Sequence, residues 1–199
     1  ARATAELTGR PINSEGSHQI IQSAEKVAHG NPSGLDARAV ASTGIIRFHQ
    51  SKITNIAVGA PQTFVIADSG VVASTANAVA LVREQLTADP ARIRPVISRL
   101  GRLSDEASEQ LIQADASELG KGMDEAQHLL ASLGLSHPRL EALIAASKEA
   151  GALGAKLTGG GMGGCVIILA ESPEHAGAII EALTTAQAFY TWMTRIDAT

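Results

Sequence analysis

The sequence predicts an α+β chain in which helices pack on a sheet, and three observations lead there. Hydrophobic residues make up 45% of the chain but aromatic residues only 3%, so the core must be built from Ala, Leu, Ile and Val, whose compact side chains let helices approach a sheet closely. Apolar residues recur at helical spacing over a long middle segment. Short apolar runs, β-branched or continuous and bounded by turn residues, flank that segment on both sides.

Residues 1–8, rich in Ala, Leu and Glu and followed by Gly9, predict a short helix that stops at a turn carrying Pro11 and Asn13. Residues 14–28 predict a second helix, with Ile20, Ile21, Ala24 and Val27 on one face, running into the loop His29-Gly30-Asn31-Pro32-Ser33-Gly34. Residues 44–48 and 63–67 predict strands, the second closed by Asp68-Ser69-Gly70. From 74 to 150 the pattern is helical, and breaks near Pro90, Gly120 and Pro138 predict three or four antiparallel helices. Residues 151–164 are glycine-dense, and 165–170 form a continuous apolar strand. Ser172-Pro173-Glu174 opens a helix with a capping serine and a first-turn proline, and residues 188–196 predict a last strand in which Tyr190 and Trp192 pack. The composition shift at 68–74 predicts a boundary, dividing 1–70 from 71–199.

Net charge is -4 and the basic residues are scattered, which excludes a nucleic-acid partner. No apolar run approaches the roughly 20 residues needed to span a bilayer, and Cys165 has no second cysteine to pair with. These facts predict a reduced, soluble, cytoplasmic chain with no membrane partner. The chain opens at Ala1 in what reads as the middle of a helix, so an upstream segment is expected.

Two constellations can carry chemistry. In the first, Glu25 lies on a helix, and Asp36 lies just past a loop whose glycines permit close approach and whose Pro32 stiffens the turn; Ser33 can cap the helix that follows. A plain helix-loop-helix corner explains the same spacing. The second is Lys156-Leu157-Thr158-Gly159-Gly160-Gly161-Met162-Gly163-Gly164-Cys165, where bare backbone can form an anion-binding nest, or merely a flexible linker or a tight crossing between elements. It lacks the Gly-Lys-Ser/Thr ending of a P-loop. Thr75 stands either as a helix N-cap or as a site residue. No histidine has metal-ligand spacing.

Taken together, His29 to Asp36 and Lys156 to Cys165 resemble two motifs of the superfamily of galactokinase, homoserine kinase, mevalonate kinase and phosphomevalonate kinase. The His-Gly-x-Pro-Ser-Gly-x-Asp form is similar to that of the mevalonate kinase family, and Met162 stands where glycine is frequent. The resemblance implies the rest of an N-terminal domain like ribosomal protein S5 domain 2, then a ferredoxin-like α/β sandwich as the C-terminal domain. It implies ATP-dependent phosphorylation of the primary hydroxyl of mevalonate in isoprenoid synthesis, with Asp36 as catalytic base and Glu25 as a ligand of Mg²⁺. His29, Ser33 and Thr75 would line or order the substrate site, and Gly159, Gly160, Gly161, Gly163 and Gly164 would adjoin the phosphate loop. That phosphate loop and the lysine-bearing strand of the superfamily are expected upstream of Ala1 or on another chain, which leaves the 199 residues inactive alone, and a homodimer is compatible with the resemblance. The alternatives are another small-alcohol kinase of the superfamily and a non-catalytic sensor or interaction module that keeps the fold.

Overall fold

The computed structural model describes residues 2–10, 12–29, 34–42, 44–50 and 52–199, with backbone alone at 2–4, 14 and 25–29. They divide into two units, Ala1–Ala57 and Val58–Thr199. In the first, the expected helices appear as α1 (Arg2–Leu7) and α2 (Ser14–His29), followed by α3 (Leu35–Ala41) and an antiparallel hairpin of β1 (Ile45–His49) and β2 (Lys52–Ile56). β2 has no strand signal in the sequence, because Lys52, Ile53, Thr54 and Asn55 are all exposed and show no apolar alternation. The N-cap of α3 is Gly34, in the left-handed region at φ 88 and without a side-chain cap, so Ser33 is not at the capping position considered for it; Ser33 itself lies outside the described residues. Arg38 of α3 pairs with Glu15 of α2 at 3.2 Å.

The second unit runs β3 (Gln62–Asp68), α4 (Thr75–Ala88), α5 (Pro90–Gln113), α6 (Ala116–Ser132), α7 (Pro138–Glu149), β4 (Gly154–Thr158), β5 (Cys165–Ala170), α8 (Pro173–Thr185) and β6 (Tyr190–Ile196). All five of its helices begin at a residue whose side chain accepts an otherwise unpaired first-turn N–H: Ser74, Asp89, Asp115, His137 and Ser172. Each such cap is worth about 1 kcal/mol, and Pro90, Pro138 and Pro173 add preset backbone at the first helical turn. The four strands form one sheet in the order β4-β5-β3-β6, every neighbouring pair antiparallel. Counted from β3, that is the strand order of a ferredoxin-like fold, as expected. Because β3 pairs with β5 on one side and β6 on the other, the division between units falls ahead of it, between Ala57 and Val58.

Strand alternation sends Val65, Ala67, Ala155, Leu157, Val166 and Ile168 to one sheet face, where Leu140, Leu143, Ile179 and Leu183 of α7 and α8 cover them. The opposite face buries Phe64 and Leu169 against Leu119 and Met123 of α6. Burial on both faces explains why 165–170 reads as an unbroken apolar run. Farther along that second face Tyr190 and Trp192 are exposed, their rings 5.8 Å apart, so they do not enter the core as expected. They face water because α6 covers only the Phe64 and Leu169 end of the sheet.

Gly120 does not break a helix. It lies inside α6, where the absence of a Cβ lets the helix rest directly on the Leu153 carbonyl and on Gly154, which opens β4. The actual break between α5 and α6 is at Ala114 and Asp115, with Ala114 left-handed at φ 60. Held so close, α6 presents Asp124 and Gln127 to the outer edge of β4. Asp124 Oδ1 accepts from Ala155 N at 2.9 Å, and Gln127 Oε1 accepts from Leu157 N at 2.8 Å. Two side chains thus stand in for a neighbouring strand and close an otherwise unpaired edge. A Cβ at Gly120 must displace backbone, so Gly120→Ala is expected to cost about 2 to 4 kcal/mol despite the better helix propensity of alanine, read as a fall in the urea midpoint. An unchanged or raised midpoint would show that the contact is not tight.

Candidate active site

The hairpin between β4 and β5 carries the glycine loop, residues 159–164. Gly159, Gly161, Gly163 and Gly164 have φ of 83, 82, 142 and 77, and Met162 has φ 64. Gly160, between two of them, lies outside the left-handed region. Bare backbone is demanded on three sides. A Cβ on Gly161 would strike the Leu135 carbonyl, one on Gly163 would come within 2.7 Å of the Val71 carbonyl, and one on Gly160 within 3.1 Å of Thr75 Cα and Oγ1. Three hydrogen bonds pin the loop: Met162 N donates to Leu135 O at 2.6 Å, Gly164 N to Val71 O at 2.9 Å, and Ser69 N to Gly164 O at 2.9 Å. This excludes the flexible-linker reading, because the loop is anchored at its middle and at its end.

The structure brings Thr75 to this loop. Thr75 is the first residue of α4 and is exposed, while the N-cap role considered for it belongs to Ser74, whose hydroxyl accepts from Asn77 N at 3.3 Å. The serine before Thr-Ala-Asn is itself a capping signal, one residue ahead of the position considered. Thr75 therefore has its hydroxyl at the positive end of a 14-residue helix, beside the glycine backbone.

Two groups at the ends of the loop are shifted from their ordinary ionisation. Lys156, half-buried in β4, donates to Leu157 O at 2.7 Å, and burial holds its ammonium below the usual lysine value. Cys165, half-buried at the start of β5, has its thiol raised by burial and then by the charge of Asp68 opposite it. A thiol so placed is a poor nucleophile, which fits a packing role. Nothing in the glycine-dense stretch around it marks Lys156 as a strand residue, so its burial is legible only from the fold.

The remaining expected residues belong to the first unit. Asp36 is the second residue of α3 and is exposed. Glu25 and His29 lie in the last turns of α2, and their side chains, like the whole of Ser33, lie outside the described residues. The two units are described separately, so the structure groups Thr75 with residues 159–164 and leaves Asp36 in its own unit. Among the described residues there is no cluster of three or more His, Cys, Asp or Glu suited to a metal ion, and no helix is long and apolar enough to cross a membrane.

Residues 107–188 match the family model described as GHMP kinases C terminal. The chain is 35% identical over 170 residues to a mevalonate kinase of Aeropyrum pernix, covering 84% of this chain and 52% of that protein. It is 33% identical over 190 residues to a mevalonate kinase of Thermococcus gammatolerans, covering 92% and 56% respectively. Among solved structures it is similar to L. major mevalonate kinase in complex with R-mevalonate, with a TM-score of 0.91 and 28% identity over 100% of this chain and 63% of that one. The chain thus spans about half the length of the curated relatives it matches.

Two outcomes test the loop. Gly161→Val combines a forbidden φ with a clash against Leu135, so Met162 N loses its partner and that amide is expected to exchange at least about tenfold faster while β5 stays protected. Unchanged protection would mean that the loop tolerates side chains. For Lys156 the folded state favours the neutral amine, so at neutral pH the charged form is a cost, and that cost disappears as pH rises past the unfolded lysine value of about 10.4. Lys156→Met is expected to raise Tm at pH 7 by an amount that shrinks toward pH 10; a gain independent of pH, or a loss, contradicts the sign of the shift.

Proposed function

Because the chain belongs to the GHMP kinases, we propose that it forms the base-bearing part of a mevalonate kinase, transferring the γ-phosphate of ATP to the primary hydroxyl of mevalonate to give 5-phosphomevalonate. The observation that carries this reading is the glycine loop, whose bare backbone at Gly160 lies against Thr75 at the N-terminus of α4, so that close-approaching backbone and a helix dipole meet where negative charge can be held. The His29 to Asp36 signature supports mevalonate as the acceptor.

In this reading Asp36 takes the proton of the mevalonate hydroxyl as its oxygen bonds to the γ-phosphorus. The bond from that phosphorus to the β,γ-bridging oxygen breaks, and ADP leaves with its electron pair. Asp36 lies at the exposed start of a short helix entered through left-handed Gly34, so its carboxylate is carried on fixed backbone rather than on a free loop. Thr75, with His29 and Ser33, orders the alcohol, and residues 159–164 pack beside the triphosphate. The Glu25 carboxylate is a hard oxygen ligand of the kind magnesium takes, and the ion, arriving with ATP, would neutralise charge on the β- and γ-phosphates. We place the main triphosphate cradle on a segment outside these 199 residues, and the reaction in a reducing cytoplasm, consistent with a single cysteine.

In the complete enzyme Asp36→Asn preserves shape and removes proton acceptance. It is expected to lower kcat by about 10² to 10⁴-fold with little change in KM for ATP, measured by coupled ADP release. Near-normal turnover removes Asp36 from the mechanism. Glu25→Gln is expected to raise the Mg²⁺ concentration giving half-maximal rate, and an unchanged titration contradicts that assignment.

A further inference from the structure

We propose that Gln127 is a positioning residue for the glycine loop, its one buried amide tying together the two segments between which residues 158–164 are strung. Gln127 lies in α6 and is only 4% exposed. Its Oε1 accepts from Leu157 N at 2.8 Å, one residue before the end of β4, where the chain enters the loop. Its Nε2 donates to Ser136 Oγ at 3.1 Å and to Glu141 Oε1 at 2.9 Å, and Ser136 Oγ in turn donates to the same carboxylate oxygen. Ser136 follows Leu135, whose carbonyl accepts from Met162 N and lies against Gly161. One side chain therefore holds the entry of the loop and, through Ser136, the carbonyl that fixes its middle.

The chemistry at this position calls for a neutral amide of this length. An acceptor is needed for Leu157 N and two donors for Ser136 and Glu141, and glutamine supplies all three. Methionine fills the volume and supplies none; glutamate keeps the acceptor but sets a second carboxylate against Glu141. The β4 strand itself is held independently by β5, which pairs with it from Gly154 opposite Leu169 to Thr158 opposite Cys165. The far end of the loop is also independent, since Gly164 N bonds to Val71 O. Loss of the amide is thus felt where the loop turns past Leu135, and not along the sheet. If residues 159–164 face a triphosphate, an error of about 1 Å in their placement is worth roughly 10² in rate.

The catalytic half of this inference rests on the kinase reading above; the anchoring half does not. Gln127→Met and the milder Ser136→Ala are compared with wild type by amide hydrogen exchange in residues 158–163, with β5 as reference, and in the complete enzyme by kcat and KM. Exchange at Met162 and its neighbours is expected to rise about tenfold or more in Gln127→Met and by less in Ser136→Ala, with β5 unchanged. In the enzyme, kcat is expected to fall and KM for the alcohol to hold nearly constant. Loop exchange unchanged in both variants, or raised equally in β5, overturns the anchoring role, and a loosened loop with normal kcat overturns the catalytic one. A wild-type enzyme with no alcohol phosphorylation would sink the kinase reading and leave exchange to decide Gln127.

Discussion

The contact on which the second unit depends is backbone against backbone: Gly120 of α6 resting on Leu153 and Gly154 at the start of β4. No side chain fits there. Only at that separation can Asp124 and Gln127, three residues apart on one helix face, reach the outward N–H groups of Ala155 and Leu157. Asp124 also receives Lys148 Nζ of α7 at 2.7 Å, so the same short approach joins two helices to the strand. A sheet edge that would invite another chain is closed by polar side chains, at the cost of two glycines whose chain entropy must be lost on folding.

From that edge the order propagates into the glycine loop. Leu157 is the last fully buried residue before the turn, and beyond it the chain holds five residues at positive φ without a break in its anchoring. Leu135, Val71 and Thr75 meet the loop with two carbonyls and a helix N-terminus, which crowd a Cβ at Gly160, Gly161 and Gly163. Of the five glycines in six positions, Gly160, Gly161 and Gly163 answer to close contacts, and Gly159 and Gly164, with open space around them, to their left-handed backbone. A fixed backbone beside a positive helix end suits phosphoryl transfer, where positioning and charge neutralisation do most of the catalysis.

Much of this was legible from residue chemistry. Ser172-Pro173 announced α8, the apolar run at 165–170 announced a strand buried on both faces, and the glycine density at 159–164 announced bare-backbone contacts. What escaped reading has a common cause. Gly120 looks like a helix break because the partner that requires it, Leu153, is distant in sequence, and β4 was hidden inside a glycine-rich stretch with Leu157 as its only large apolar residue. Ser74 was overlooked beside Thr75, and Tyr190 and Trp192 were assigned to the core because side-chain hydrophobicity does not tell which end of a sheet face a helix covers. Of the candidate residues, Thr75 and the glycine loop lie together in the fold, while the placement of Asp36 beside an alcohol rests on its signature.

If the glycine loop, Thr75 and Asp36 serve one phosphoryl transfer, its product is the most direct test. The 199-residue chain, co-expressed with the amino-terminal portion of one of its mevalonate kinase relatives and purified as a folded pair, is incubated with mevalonate and MgATP and followed by phosphorus NMR. The account predicts a growing phosphomonoester signal that matches the ADP formed and depends on mevalonate. ATP that is untouched by the folded pair, or hydrolysed to inorganic phosphate with no phosphomonoester, would contradict it.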